Sequence, residues 1–215
     1  LGARAEHEVI VGVYDPTDTG TQPRGKQVMN PHGIWYTPVT GLWQTVWIEP
    51  VPHAAIRELD LQPDLEAGTV RIDYETGNDR LQRTTEGLVT VRYRGREVAR
   101  GKTGEAIPVR DVRAWSPDAP NLYDVEILLH ARGNPGQVFD RVASYFGFRT
   151  ISLGKDANGF TRVLLNGEPY FMLGTLDQGY WPDGLYTAPT DEALRTDLEI
   201  TKRLGFNTVR KHVKI

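Results

Sequence analysis

Cysteine is absent from the sequence. That excludes disulfides, thiolate nucleophiles and Cys-held zinc or iron–sulfur sites. It leaves the compartment open, because a disulfide-free chain suits the cytosol and many secreted enzymes alike. Long apolar runs are also missing. A membrane-spanning helix needs roughly 18 or more consecutive apolar residues, and residues 1–15 lack the basic-then-apolar order of a signal peptide. No membrane partner is expected. Serine is scarce: only Ser116, Ser144 and Ser152 occur, none within G-x-S-x-G, so a nucleophile elbow is not expected. Excess positive charge is missing too. Lys and Arg number 25 against 28 Asp and Glu, a net charge of -3, which argues against a nucleic-acid partner. The five histidines, at 7, 32, 53, 130 and 212, form no H-x3-H pair. Neither a metal site nor a cofactor is expected. Gly101-Lys102-Thr103 is a near miss to a phosphate loop. The upstream glycine falls at Gly95, one residue too far away, and no helix follows. The simpler reading is a hairpin turn with an exposed lysine.

Punctuation and alternation are what the sequence has in plenty. Its 14 prolines and 22 glycines separate short alternating runs, the pattern of an all-β region. Val70, Ile72 and Tyr74 alternate with Arg71 and Asp73. Val89, Val91 and Tyr93 alternate with Thr90, Arg92 and Arg94. Tyr123, Val125, Ile127 and Leu129 alternate with Asp124, Glu126 and His130. Residues two apart share a sheet face, so each run has a dry side and a wet side. Gly77-Asn78-Asp79, Arg94-Gly95 and Gly133-Asn134-Pro135-Gly136 read as turns. Strand candidates fall near 56–61, 69–75, 87–94, 96–101, 105–110, 123–131 and 138–149. About seven short strands in roughly 100 residues suit an immunoglobulin-like sandwich.

The flanks read differently. Residues 8–14 read as a strand, and 33–52 as two strands broken at Pro38 and Gly41. The proline-rich exit Glu49-Pro50-Val51-Pro52 reads as a domain boundary. Trp35, Trp43 and Trp47 read as core or domain-interface residues rather than as a sugar platform. Towards the other end, Asn166-Gly167 is a two-residue hairpin turn. Thr190 is the N-cap of a helix. Asp191 and Glu192 lie in its first turn, Leu194, Leu198, Ile200 and Leu204 form its apolar stripe, and Gly205 follows its end. Residues 206–215 read as a further strand. Strand, helix, strand is the opening of a parallel sheet or barrel. A full (β/α)8 barrel takes about 250 residues, and roughly 60 remain. With Leu1 rather than Met at one end and Val213-Lys214-Ile215 breaking off at the other, the chain reads as a fragment of a longer protein.

Several motifs carry a family resemblance. Gly33-Ile34-Trp35-Tyr36 and Gly41-Leu42-Trp43-Gln44-Thr45-Val46-Trp47-Ile48-Glu49 resemble the end of the N-terminal sandwich of glycoside hydrolase family 2, which includes β-galactosidases, β-glucuronidases and β-mannosidases. Trp115-Ser116-Pro117 with Pro120-Asn121-Leu122-Tyr123, and Phe146-Gly147-Phe148-Arg149, resemble its middle domain. Leu165-Asn166-Gly167-Glu168-Pro169 with Leu173-Gly174 resembles the entrance to its catalytic barrel. Gly205-Phe206-Asn207-Thr208-Val209-Arg210 resembles the second barrel strand.

The resemblance implies a mainly β chain in three parts. Residues 1–52 would end a jelly-roll, sugar-binding-like domain. Residues 53–152 would form an immunoglobulin-like β-sandwich, and 153–215 would open a truncated TIM barrel. It implies a parent enzyme that hydrolyses terminal β-glycosidic bonds with retention, through two glutamates lying beyond residue 215, so that the fragment alone is inactive. Carbohydrate is the implied substrate. Asp177, Gln178 and Trp181 stand where the family contacts sugar; the competing reading is a loop-capping aspartate and a partly buried tryptophan. Arg210 is the candidate to hold the nucleophile ionised, and His212 to bond a sugar hydroxyl, unless Arg210 makes a structural ion pair. The Arg-to-His spacing is one residue shorter here than in β-galactosidases, and the sugar-binding His motifs of other members are absent. The severed ends are expected to leave apolar surface through which copies associate. The rival class is a non-catalytic β-sandwich module binding carbohydrate or protein.

Overall fold

The computed structural model describes residues 7–214; the readings on Leu1 and on Ile215 lie outside them. The chain divides into two compact units, residues 49–171 and residues 1–48 with 172–215.

The first unit is antiparallel. Strands β1 (Ile56–Asp64), β2 (Thr69–Thr76) and β5 (Ala106–Pro108) form one sheet in the order β1-β2-β5. Strands β4 (Arg96–Lys102), β3 (Thr85–Tyr93), β6 (Tyr123–Ala131) and β7 (Asn134–Phe146) form a second in the order β4-β3-β6-β7. The alternation read from the sequence is the burial observed in β2 and β6 up to Leu129; in β3 it fails at Thr90, which is buried, and at Tyr93, which is half-buried. Val70, Ile72, Val89, Val91, Tyr123, Val125, Ile127 and Leu129 are all 0–2% exposed. The inward faces of both sheets meet in one core that includes Ile107, Phe146 and Phe148. At its end the rings of Tyr123, Phe146 and Phe148 meet at centroid distances of 5.2–5.4 Å, a spacing at which aromatic pairs attract beyond their burial.

Three local readings change. His130, expected on the wet side, is buried and its Nδ1 lies 2.9 Å from the Ala131 carbonyl. The ladder between β6 and β7 shifts register on both sides of His130, and each such bulge breaks the period of two. The expected four-residue turn at 133–136 is a tight one at Arg132-Gly133, with Asn134-Pro135-Gly136 already in β7. Between Gly77 and β3 lies a short helix, α1 (Asp79–Thr84). Asn78 caps it by accepting from the Leu81 N–H. Gly101-Lys102-Thr103 is not a loop around a ligand. Gly101 and Lys102 end β4, and the Lys102 ammonium lies 2.8 Å from Glu86.

The same unit holds a small sheet in the order β10-β9-β8, from β8 (Ile151–Lys155), β9 (Thr161–Leu165) and β10 (Glu168–Pro169). Asn166 and Gly167 turn between β9 and β10 with φ of 53° and 85°, the left-handed pair that a two-residue hairpin requires. The Asn166 side chain ties this turn to the sandwich, donating to the Trp115 carbonyl and accepting from the Thr150 N–H, each at 3.0 Å.

The second unit contains one regular piece. β11 (Gly174–Asp177) and β12 (Thr208–Lys211) pair in parallel, with α2 (Asp191–Arg203) between them. This is the strand–helix–strand order expected. Thr190 caps α2 by accepting from the Ala193 N–H, and Gly205 leaves its end at φ 88°. Asn207 brings the two strands into register: its backbone N–H donates to the Leu173 carbonyl and its side chain accepts from the Leu173 N–H, both at 3.0 Å. No residue of α2 is buried; Leu194, Leu198 and Leu204 are 43%, 58% and 68% exposed.

The strands expected at 8–14 and within 33–52 do not form. Among the described residues of 7–52 the ladder contact is a single bridge, Gln27 to Tyr36. A strand exists by its partner's hydrogen bonds, and no neighbouring strand faces these segments. Tight turns and side-chain bonds hold the middle of the segment. Asp15 accepts from the Thr17 N–H and the Thr40 hydroxyl, and Gln27 accepts from the Val39 N–H at 2.7 Å.

Candidate functional site

Ligands of parallel sheets gather at the carboxyl ends of the strands. In the second unit, a pocket of about 670 Å³ lies at those ends. Trp43, Trp47, Trp181 and Tyr186 supply its rings, with Gly179, Lys211 and Lys214 from the strand ends and Thr190, Asp191 and Leu194 from the start of α2. Such a volume falls within the usual range for small-molecule sites.

Lys214 is the centre of the aromatic cluster. Its Nζ sits 3.2 Å from the Tyr186 ring centroid, 5.2 Å from Trp43 and 5.6 Å from Tyr180, and it donates to the Tyr186 carbonyl at 3.2 Å. Ring faces attract an ammonium. Partial burial works the other way, and with neighbouring Lys211 it pushes Lys214 below the ordinary lysine range; Asp177 offsets part of this. Tyr186 is buried and its hydroxyl donates to the Val213 carbonyl at 2.9 Å. Tyr180 stacks on Tyr36 at 4.4 Å. Burial raises its phenol to about 12, with Tyr186 and Tyr36 adding to the shift, so it stays protonated. Lys211, the last residue of β12, pairs with Asp177, the last residue of β11, at 2.7 Å. Gly179 leaves room for both lysines. A Cβ there would lie 2.6 Å from the Lys211 Nζ and 2.9 Å from the Lys214 Cε.

The structure treats the sequence candidates unequally. Trp181 lines the pocket, and Asp177 reaches it through its ion pair with Lys211. Gln178 is exposed and lies outside the pocket wall. Arg210 precedes Lys211 on β12, so alternation puts it on the opposite strand face. His212 lies one residue past the strand, its N–H donating to the Asp177 carbonyl at 2.9 Å; neither it nor Arg210 lines the pocket. Of the tryptophans read as core or domain-interface residues, Trp47 is 73% exposed and so not in a core, and Trp43 and Trp47 line the pocket. Sequence reasoning missed Lys211, Lys214 and Tyr186. A faint signal existed: Lys211 lies beside Arg210, so choosing one face of β12 leaves Lys211 on the other. No group of three or more metal-ligating side chains occurs among the described residues, and no helix among them is long and apolar enough to cross a membrane.

Fold and site together define a class of protein in which an antiparallel β-sandwich accompanies a parallel strand–helix–strand unit with an aromatic pocket at its strand ends. Comparison with known proteins adds likenesses of sequence and fold. The sequence model for glycosyl hydrolases family 2 matches residues 54–149, the sandwich. A β-galactosidase of Photobacterium profundum is 27% identical over 197 residues, 82% of this chain and 18% of the relative. A protein named putative beta-glucuronidase from Formosa agariphila is 30% identical over 129 residues, 59% of this chain and 11% of the relative. A solved β-glucuronidase from Ruminococcus gnavus, in complex with D-glucuronic acid, matches with a TM-score of 0.62. That match covers 74% of this chain and 26% of that one, at 19% identity, and is a likeness of fold. Residues 54–149 thus carry the domain that the model of glycosyl hydrolases family 2 describes, and the chain spans about a fifth of the length of the curated β-galactosidase it matches, 18%.

Proposed function

We propose that this chain is the scaffold and barrel-opening portion of a retaining glycoside hydrolase that cleaves terminal β-glycosidic bonds. One observation carries the proposal: a parallel β11–α2–β12 unit, its strand ends opening on an aromatic pocket, in a chain whose sandwich matches the family. In this reading the seven strands β1–β7 form an immunoglobulin-like domain, residues up to 52 end a jelly-roll domain, and residues from 153 open the barrel.

Retention needs two carboxyl groups about 5–5.5 Å apart, one nucleophile and one acid/base. Asp177 is committed to Lys211. Asp191 occupies the first turn of α2, where the helix dipole favours an anion. Neither is free for that work, and the family resemblance implies that both catalytic glutamates lie outside residues 1–215. Arg210 is assigned to orient the nucleophile and His212 to bond a sugar hydroxyl, both on the strand face away from Lys211. Asp177, Gln178 and Trp181 are assigned to sugar contact. The parent acts on carbohydrate, and the exposed leucines of α2 offer a surface for association of copies.

The binding-module alternative finds less support. Of two concavities on the sandwich, one of about 390 Å³ beside Arg71 has no ring to stack on a pyranose, and one of about 370 Å³ has the single ring of Tyr145 against the three tryptophans of the strand-end pocket. The test is a panel of aryl β-galactosides, β-glucuronides and β-mannosides. The 215-residue chain is expected to release no aryl alcohol from any of them, and a longer protein carrying the two glutamates is expected to turn over at least one. Turnover by the short chain contradicts the assignment.

A further inference from the structure

The pocket's charge is unevenly balanced. Lys211 already has a carboxylate at 2.7 Å. Lys214 has none among the described residues; its partners are ring faces and the Tyr186 carbonyl. An ammonium partly withdrawn from water, offset only by Asp177 and with no carboxylate in contact, gains from any anion that reaches it. Asp191 is the one carboxylate on the pocket wall, and at the head of α2 it is held by the helix dipole rather than by Lys214. The rest of the wall mixes rings and aliphatic groups with the uncharged polar side chains of Gln44, Thr45, Thr187 and Thr190. Trp43, Trp47 and Trp181 offer faces on which a pyranose ring stacks.

We propose that Lys214 is a specificity-determining residue: it makes the strand-end pocket select carbohydrate bearing an anionic group, carboxylate or sulfate, over its neutral counterpart. The inference rests on the reading that this pocket holds carbohydrate. Trp43, Tyr180 and Tyr186 aim the ammonium, and Lys211, offset by Asp177, contributes less. The rings hold the lysine without neutralising it, so it keeps its charge for the ligand. Gly179 keeps the approach open, because any side chain there would displace both lysines.

The test is a binding titration of the 215-residue chain, read by tryptophan fluorescence and by calorimetry. Its arms are a methyl β-uronide, a sulfated methyl β-glycoside and the neutral methyl β-glycoside. At least one anionic sugar is expected to bind about tenfold or more tightly than the neutral one, and the preference shrinks as salt is raised. The carboxylate and sulfate arms distinguish the two sources of charge. Lys214→Met abolishes the preference and Lys214→Arg retains it, with unchanged circular dichroism excluding misfolding. Should Lys214→Met fail to fold, Gly179→Ala, which crowds the same amine, is expected to reduce the preference instead. Equal binding of charged and neutral sugars overturns this inference and leaves the proposed function standing. Failure of every sugar to bind overturns both.

Discussion

The two units of this chain are held by different means. The sandwich unit is organised by a repeated rule: alternate residues turn inward, both sheets bury them, and side chains at 0–2% exposure fill the space. The other unit has few buried side chains, Val28, Gln27, Thr17 and Tyr186 among them. It is tied by particular bonds: Asp15 to Thr40, Gln27 to Val39, Asn207 to Leu173, Lys214 to its rings. Burial of apolar area is worth roughly 25 cal/mol per Å² and accumulates along a strand. Single hydrogen bonds contribute about 1 kcal/mol each. The first device fills a closed apolar core. The second leaves polar and aromatic groups facing an open pocket, where binding is possible.

Substitutions sharpen this contrast. The largest effect is expected in the sandwich core, where Phe148→Ala costs about 3–5 kcal/mol in chemical denaturation. Leu198→Ala, on the exposed face of α2, changes stability by less than about 0.5 kcal/mol. Comparable losses at the two sites would break the comparison. Next comes Asn166→Ala. It removes two hydrogen bonds and places alanine at φ 53°, for an expected loss of about 2 kcal/mol in thermal unfolding. Thr190→Ala removes the cap of α2 at a cost of about 1 kcal/mol to that helix, seen as faster amide exchange in residues 191–194 and not in the sandwich.

The smallest effect is electrostatic. The hydrogen bond from Lys102 holds Glu86 below the usual glutamate range, against some burial. A carboxyl depressed in the folded state adds stability above its unfolded pKa, near 4.5, and loses it as pH falls through the lower folded value. Glu86→Gln is therefore expected to lower stability by a small constant amount above about pH 4.5 and to flatten the acid limb below it, the two proteins converging at low pH.

The sandwich was legible because its signal repeats. Strands β2, β3 and β6 carry the alternation of Val, Ile and Tyr, and where the period breaks, at the bulges beside His130, the reading breaks with it. The cap at Thr190, the stripe of α2 and the turn at Asn166-Gly167 were legible from local chemistry. The pocket was not. Trp43, Tyr186 and Lys214 come from distant parts of the chain, and nothing in the neighbourhood of any one predicts the others. Segment 8–14 shows the converse error. Its apolar residues suit a strand, but propensity without a neighbour to bond makes none. Of the site candidates, Asp177 and Trp181 were named through the family resemblance, and Trp181 is the one of them that lines the pocket. Arg210 took precedence over Lys211 only through the family resemblance.

Hydrogen exchange of the 215-residue chain, with and without saturating anionic β-glycoside, tests the division of labour most directly. The account predicts slow exchange in β3 and β6 that the sugar leaves unchanged, with new protection at residues 41–47, 177–191 and 211–214. Sugar-induced protection confined to residues 56–149, with the strand ends unaffected, would contradict it.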